Sequence, residues 1–240
     1  MTAVLFIHGF PFDHLMWRHQ VAALWRWRCI APELRGAGAS KGPDSPDEYS
    51  MALYAGDLIR LLDDLHVEQA VVCGLSMGGY IAFEILRRFP ERVQAAILCH
   101  TKAAADTPEA KRGRDAMAEH ARKEGSRGVA AELVPKLLAR PTQPEVAREV
   151  TEMIERQPVT GIIGALRALR ERPDSTPLLA AIHVPVLVVA GDDDQITPVG
   201  GMEEMARAIP GAQFVLIPQS GHLSPLEQPR AFSAALNEFL

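Results

Sequence analysis

The sequence predicts an α/β domain: a mainly parallel sheet of about six strands flanked by helices, interrupted by an all-helical insert. Three observations carry this reading. Short apolar runs rich in Val, Ile and Leu recur at 4–7, 29–31, 70–75, 95–99, 186–190 and 213–217. They do not alternate polar with apolar residues, which marks strands covered on both faces. Helix-length amphipathic stretches lie between them, at 16–25, 51–65, 77–89, 200–209 and 226–239. Such alternation builds parallel sheets with right-handed crossovers. The third observation is a break in rhythm. From about residue 100 to 177 there is no strand-like run, and helical patterns follow one another at 108–123, 129–139, 144–156 and 159–170.

The elements follow in order. The first strand ends at His8-Gly9-Phe10-Pro11, and the second is closed by Pro32. Helix 51–65 leads to strand 70–75, which turns through Gly74-Leu75-Ser76-Met77-Gly78-Gly79 into a helix closed by Pro90. Strand 95–99 precedes the insert. Strand 186–190 runs into Gly191-Asp192-Asp193-Asp194-Gln195-Ile196-Thr197-Pro198, and Pro210 closes the next helix. The last strand leads to Ser220-Gly221-His222-Leu223-Ser224-Pro225, with Pro225 where a first helical turn tolerates it. The expected organisation is a core at 1–100 and 178–240 and a helical insert at 101–177. The insert carries 14 Lys/Arg against 12 Asp/Glu, the rest 11 against 18.

Composition narrows the function. A chain of 240 residues, 48% hydrophobic and 23% charged, buries a sizeable core and is not disordered. A net charge of −5 argues against nonspecific nucleic-acid binding, which needs a basic face. No apolar run is long enough to span a bilayer, so no membrane partner is expected. The first apolar stretch, 3–7, is too short for a secretory leader, and the expected compartment is the cytoplasm. Cys29, Cys73 and Cys99 sit in separate apolar runs without a C-x-x-C, as free, buried thiols in a reducing compartment do. No H-E-x-x-H or comparable pair occurs, and neither a metal nor a cofactor is expected.

The chemistry resides at the strand ends. Ser76 stands at a sharp strand-to-helix turn, where Gly74 and Gly78 keep the neighbouring positions free of bulk. Such a turn pushes the hydroxyl out of the sheet edge, and the following helix N-terminus favours developing negative charge. A hydroxyl needs a base to become a nucleophile, and His222 lies on a loop at the same edge. A carboxylate should fix the histidine tautomer, and Asp192, Asp193 and Asp194 are all candidates on position alone. An oxyanion hole can come from the backbone N–H groups of Phe10 and Met77, each typically worth ~2.7–4 kcal/mol. His8 reads as a support for the Gly9 turn rather than a catalytic group.

HGFPFDHLMW, PELRGAGAS, CGLSMGGYIAFE, GDDDQITP and SGHLSPLEQP, in this order, resemble the α/β-hydrolase superfamily over essentially the whole chain. The resemblance implies an α/β-hydrolase fold and a Ser76–Asp194–His222 triad. Asp194 is selected because the family's acid stands three residues after the strand-ending glycine and four before a proline. The insert then resembles the family's cap, which closes over the site. GLSMGG and the stretch from LCHTKAAAD onward look like 3-oxoadipate enol-lactonases and small carboxylesterases. Glu33 and Ala37 depart from the family's usual residues, so no substrate contact is carried over there. The family's N-terminal hairpin is expected to be reduced. The implied activity is that of a serine hydrolase cleaving small esters or lactones through an acyl-enzyme. A lactonase specific for an acidic enol-lactone, C–C bond hydrolysis, perhydrolysis and a ligand-binding sensor on the same scaffold are the alternatives.

Overall fold

A computed structural model describes residues 2–240. Six parallel strands form one sheet: β1 (Ala3–Ile7), β2 (Arg28–Ile30), β3 (Ala70–Leu75), β4 (Val93–Cys99), β5 (Val186–Gly191) and β6 (Gln213–Ile217), in the order β2-β1-β3-β4-β5-β6. β1, β3 and β5 are buried along their whole length, as the non-alternating runs require. β2 and β6 are the edges and are partly exposed. The chain reverses direction across the sheet between β1 and β3, leaving a crevice beyond their carboxyl ends.

The helices are α1 (Arg18–Ala23), α2 (Met51–Asp64), α3 (Met77–Arg88), α4 (Pro108–Leu137), α5 (Pro144–Glu155), α6 (Val159–Arg170), α7 (Val199–Ala208), α8 (Ser224–Glu227) and α9 (Pro229–Phe239). Two differ from the sequence reading. The helix expected over 16–25 splits into a 3-10 turn, His14–Trp17, and the short α1. It buries Trp17 between Phe6 and Phe232, with ring centroids 5.0 and 6.0 Å apart. The helix expected over 226–239 breaks at Gln228, because Pro229 has no N–H to continue the ladder. The carbonyl of Pro225 accepts the side-chain N–H of Gln20 instead, at 3.1 Å. Cys73 and Cys99 are free and buried, whereas Cys29, on the edge strand, is only half-buried.

Between β4 and β5 the chain forms α4, α5 and α6 and no strand. α4 is interrupted at Gly125, whose φ of 70° is non-helical. This helical layer is tied to the sheet's carboxyl edge. Arg156 and Gln157 donate to the buried Asp13 carboxylate, at 2.8 and 3.0 Å. At the end of α4 the backbone lies on the loops after β5 and β6. Leu137 O accepts from His222 N (2.8 Å), Ala139 N donates to Glu227 Oε1 (2.7 Å) and Arg140 N donates to Asp193 Oδ2 (2.9 Å). No helix among the described residues is long and apolar enough to cross a membrane.

Candidate active site

The β3–α3 turn sets Ser76 at φ 53° and ψ −111°, a left-handed conformation that costs a non-glycine residue about 1–3 kcal/mol. Close packing enforces it. A Cβ on Gly74 would lie 2.2 Å from Gly78 O, and one on Gly78 2.2 Å from Ile7 O. Side chains at those positions cannot coexist with the turn. Ser76 N donates to Cys99 O (2.8 Å), and Ser76 O accepts from Thr101 Oγ1 (2.9 Å), so the turn is anchored on both sides to the end of β4.

His222 follows β6 and is almost fully buried, with its Nδ1 2.9 Å from Asp194 Oδ2. Of the three adjacent aspartates, Asp194 alone bonds a histidine. Asp192 accepts from Ser220 N (3.1 Å) and Asp193 from Arg140 N. The Asp194 carboxylate is saturated. Oδ1 accepts from Ile196 N (2.8 Å) and Thr197 N (2.9 Å), and Oδ2 also receives the Thr197 hydroxyl. Burial pushes its pKa up, but the hydrogen bonds and charge interactions with His222 and His100 outweigh that and hold the carboxyl well below the usual range.

Ser76 and His222 line one cavity of about 240 Å³, together with Phe10, Tyr80, Arg114 and Leu137. No direct hydrogen bond joins Ser76 Oγ to His222 among the described residues. Catalytic hydrogen bonds are often long without substrate and tighten when it binds. The backbone N–H groups of Phe10 and Met77 have no acceptor within the described residues. His8 sits beside them, fully buried. Its Nδ1 bonds Gly9 O (2.9 Å) and its Nε2 accepts from Leu34 N (3.0 Å), fastening the β1 turn to the loop after β2. Burial pushes the His8 pKa down to about 4, so it stays neutral in the fold.

Sequence reasoning missed His100. It follows β4 at φ 47° and is fully buried, with Nδ1 2.9 Å from Asp194 Oδ2 and Nε2 2.6 Å from Ser224 Oγ. The only local signal was a histidine directly after a strand, at the edge that carries the other candidates. His100, Asp194 and His222 bring ligand-type atoms within 4.8 Å of one another, close enough for a metal ion. Here the Nδ1 of each ring is spent on the carboxylate, which makes the trio a hydrogen-bonded unit. Arg114 was not singled out either. It is the one cationic side chain among the cavity's otherwise largely apolar walls, and its Nε lies 3.1 Å from Asp106 Oδ2. Asp106 also pairs with Arg172 at 2.7 Å, whose guanidinium stacks 4.2 Å from the Tyr80 ring.

The family described as the alpha/beta hydrolase fold matches residues 2–229. The chain belongs to the α/β-hydrolase family. Among solved structures it is similar to an esterase from Thermogutta terrifontis, determined with malate bound. The TM-score is 0.95 and the identity 42%, covering 99% of this chain and 89% of that one. It is similar to the enol-lactonase from Burkholderia xenovorans LB400, with TM-score 0.90 and 30% identity over 99% of this chain and 90% of that one. Among curated relatives, 3-oxoadipate enol-lactonase 2 of Acinetobacter baylyi is 29% identical over 98% of this chain and 86% of its own length. The α/β-hydrolase fold and the six-stranded parallel sheet expected from the sequence are therefore those of this family.

Proposed function

We propose that this hydrolase cleaves small carboxylic esters or lactones by acyl transfer, with Ser76 as nucleophile, His222 as general base and Asp194 as the residue that orients His222. The observation that carries the reading is the meeting of three things at the sheet's carboxyl edge. These are a serine on a strained turn, a histidine that is held through Nδ1 by an ionised carboxylate and lines one cavity with that serine and Phe10, and the backbone N–H groups of Phe10 and Met77, which have no acceptors within the described residues. Ser76 Oγ attacks the acyl carbon as His222 Nε2 takes its proton. The carbonyl oxygen becomes an oxyanion that accepts hydrogen bonds from Phe10 N–H and Met77 N–H. The oxyanion then collapses, the bond to the leaving oxygen breaks, and His222 gives that oxygen its proton. Water, deprotonated by His222, attacks the acyl-enzyme; the bond from the acyl carbon to Ser76 Oγ then breaks, His222 returns the proton to Oγ, and the acid leaves. This sequence calls on no cofactor and no metal.

The similarity to an esterase and to enol-lactonases supports ester or lactone chemistry. The small cavity volume supports a short acyl group. We read residues 101–177 as a cap whose α4 and α6 wall the cavity, and the cytoplasm, where its thiols stay reduced, as its compartment.

A second reading narrows the substrate to esters or lactones bearing a carboxylate. Asp106 is shared between Arg114 and Arg172, with the half-buried Lys102 close by, so the cluster beside the cavity carries excess positive charge. The malate in the structure of the Thermogutta terrifontis esterase is in keeping with an acidic ligand.

The test is p-nitrophenol release from acetate through decanoate esters, with Ser76→Ala beside the wild type. Turnover that falls with chain length and vanishes in the variant is expected. A folded protein that turns over no ester, or a variant as active as the wild type, overturns the reading.

A further inference from the structure

His100 is joined to the loops that carry all three proposed triad members. Its own N–H donates to Val189 O (2.9 Å) on β5, the strand leading to Asp194. The preceding carbonyl, Cys99 O, accepts from Ser76 N (2.8 Å). Its ring bonds Asp194 at Nδ1 and Ser224, two residues beyond His222, at Nε2. The ring stands edge-on to that of His222, with centroids 5.5 Å apart. Packing alone asks for none of this, since an apolar side chain fills such a position without polar partners and without a left-handed backbone.

The tautomer follows from the partners. Asp194 is an anion that only accepts, so the Nδ1 of His100 carries the proton. Its Nε2 then accepts from the Ser224 hydroxyl. Asp194 and His222 are the titratable groups that face the ring, and burial lowers its own pKa, in keeping with a neutral imidazole.

We propose that His100 is a positioning residue: its neutral ring donates to the same Asp194 oxygen that orients His222, fixing that carboxylate and restraining its pull on the His222 proton. This rests on the reading of Asp194 and His222 given above. Removing the donor leaves Oδ2 freer to stabilise protonated His222. The base then holds its proton to higher pH, and the acid limb of kcat/KM moves up.

The experiment compares wild type, His100→Leu and His100→Asn on p-nitrophenyl acetate across pH. Asn places an amide N–H where Nδ1 lies, and Leu places none. His100→Leu is expected to lower kcat about 10- to 100-fold with little change in KM, and to raise the acid limb by about one pH unit. His100→Asn should bring the limb back to the wild-type position. A Leu variant with the wild-type limb, or an Asn variant no better than Leu, overturns the proposal. Nitrogen NMR of histidine-labelled wild type needs no variant and decides the matter if Leu does not fold. His100 should remain the neutral Nδ1–H tautomer while His222 titrates. An Nε2–H tautomer, or a His100 that gains a proton in that range, overturns it. Failure of the underlying ester reading is separate, and shows as absent wild-type turnover.

Discussion

Two serine–histidine pairs share Asp194, and they differ in everything except that acid. Ser224 and His100 are fully buried and joined by a hydrogen bond of 2.6 Å. Ser76 and His222 line a cavity, with no direct bond between them. The tighter pair has the look of a catalytic relay, but neither member lines the cavity. The looser pair has the strained serine turn and the two free backbone donors beside it. A short hydrogen bond in a dry interior reports fixed geometry. Reactivity needs a nucleophile that substrate can reach and donors placed where charge develops.

The comparison breaks first on alanine variants of the two serines. Ser76→Ala should lower kcat by about 10⁴-fold or more, as loss of a triad nucleophile does. Ser224→Ala should lower it by less than about tenfold, since the hydroxyl only fixes His100. Equal losses measured on p-nitrophenyl acetate would erase the distinction.

The strained turn can be broken separately. Gly78→Ala brings a methyl against Ile7 O, which cannot retreat without moving β1. A loss of about 3 kcal/mol or more in urea unfolding is expected. A variant of wild-type stability would mean that the turn relaxes freely and is not enforced by β1.

The buried histidines also predict a pH dependence. The His8 pKa lies near 4 in the fold, below its unfolded value of about 6.5. The unfolded chain therefore binds the proton first, and stability falls as pH drops from about 6.5 towards 4. His100, lowered by burial, acts in the same direction. Between pH 7 and 5 the His8 contribution is about 2 kcal/mol. His8→Gln, whose side-chain oxygen can still accept from Leu34 N–H, should flatten that slope in urea titrations. An unchanged slope would show that His8 is not held neutral.

The smallest expected effect concerns substrate choice. Arg114→Gln should lower kcat/KM for carboxylate-bearing lactones about tenfold, and leave neutral acetate esters within about twofold. Equal losses on both would assign Arg114 to packing against Asp106.

The parts of this site legible in the sequence were those fixed by local geometry. The tight β3–α3 turn demands Gly74 and Gly78, which single out Ser76. The buried parallel strands announced themselves by unbroken apolar runs. Three consecutive aspartates offered no local distinction, and the resemblance was needed to choose Asp194. The reason lies in tertiary partners: Asp193 meets Arg140 and Asp192 meets Ser220, contacts that no periodicity encodes. His100 escaped for the same reason. Its partners come from 94 and 124 residues away. The contact of the α4 end with the His222 loop is made by backbone groups, which carry no side-chain signature.

The central claim is that Ser76, and not Ser224, is the nucleophile of this hydrolase. It is tested most directly by reacting the protein with diethyl p-nitrophenyl phosphate, which phosphorylates an activated serine, and locating the adduct by peptide mass mapping. A single adduct on Ser76, with loss of esterase activity in proportion, is the predicted result. An adduct on Ser224, or full inactivation with Ser76 unmodified, would contradict it.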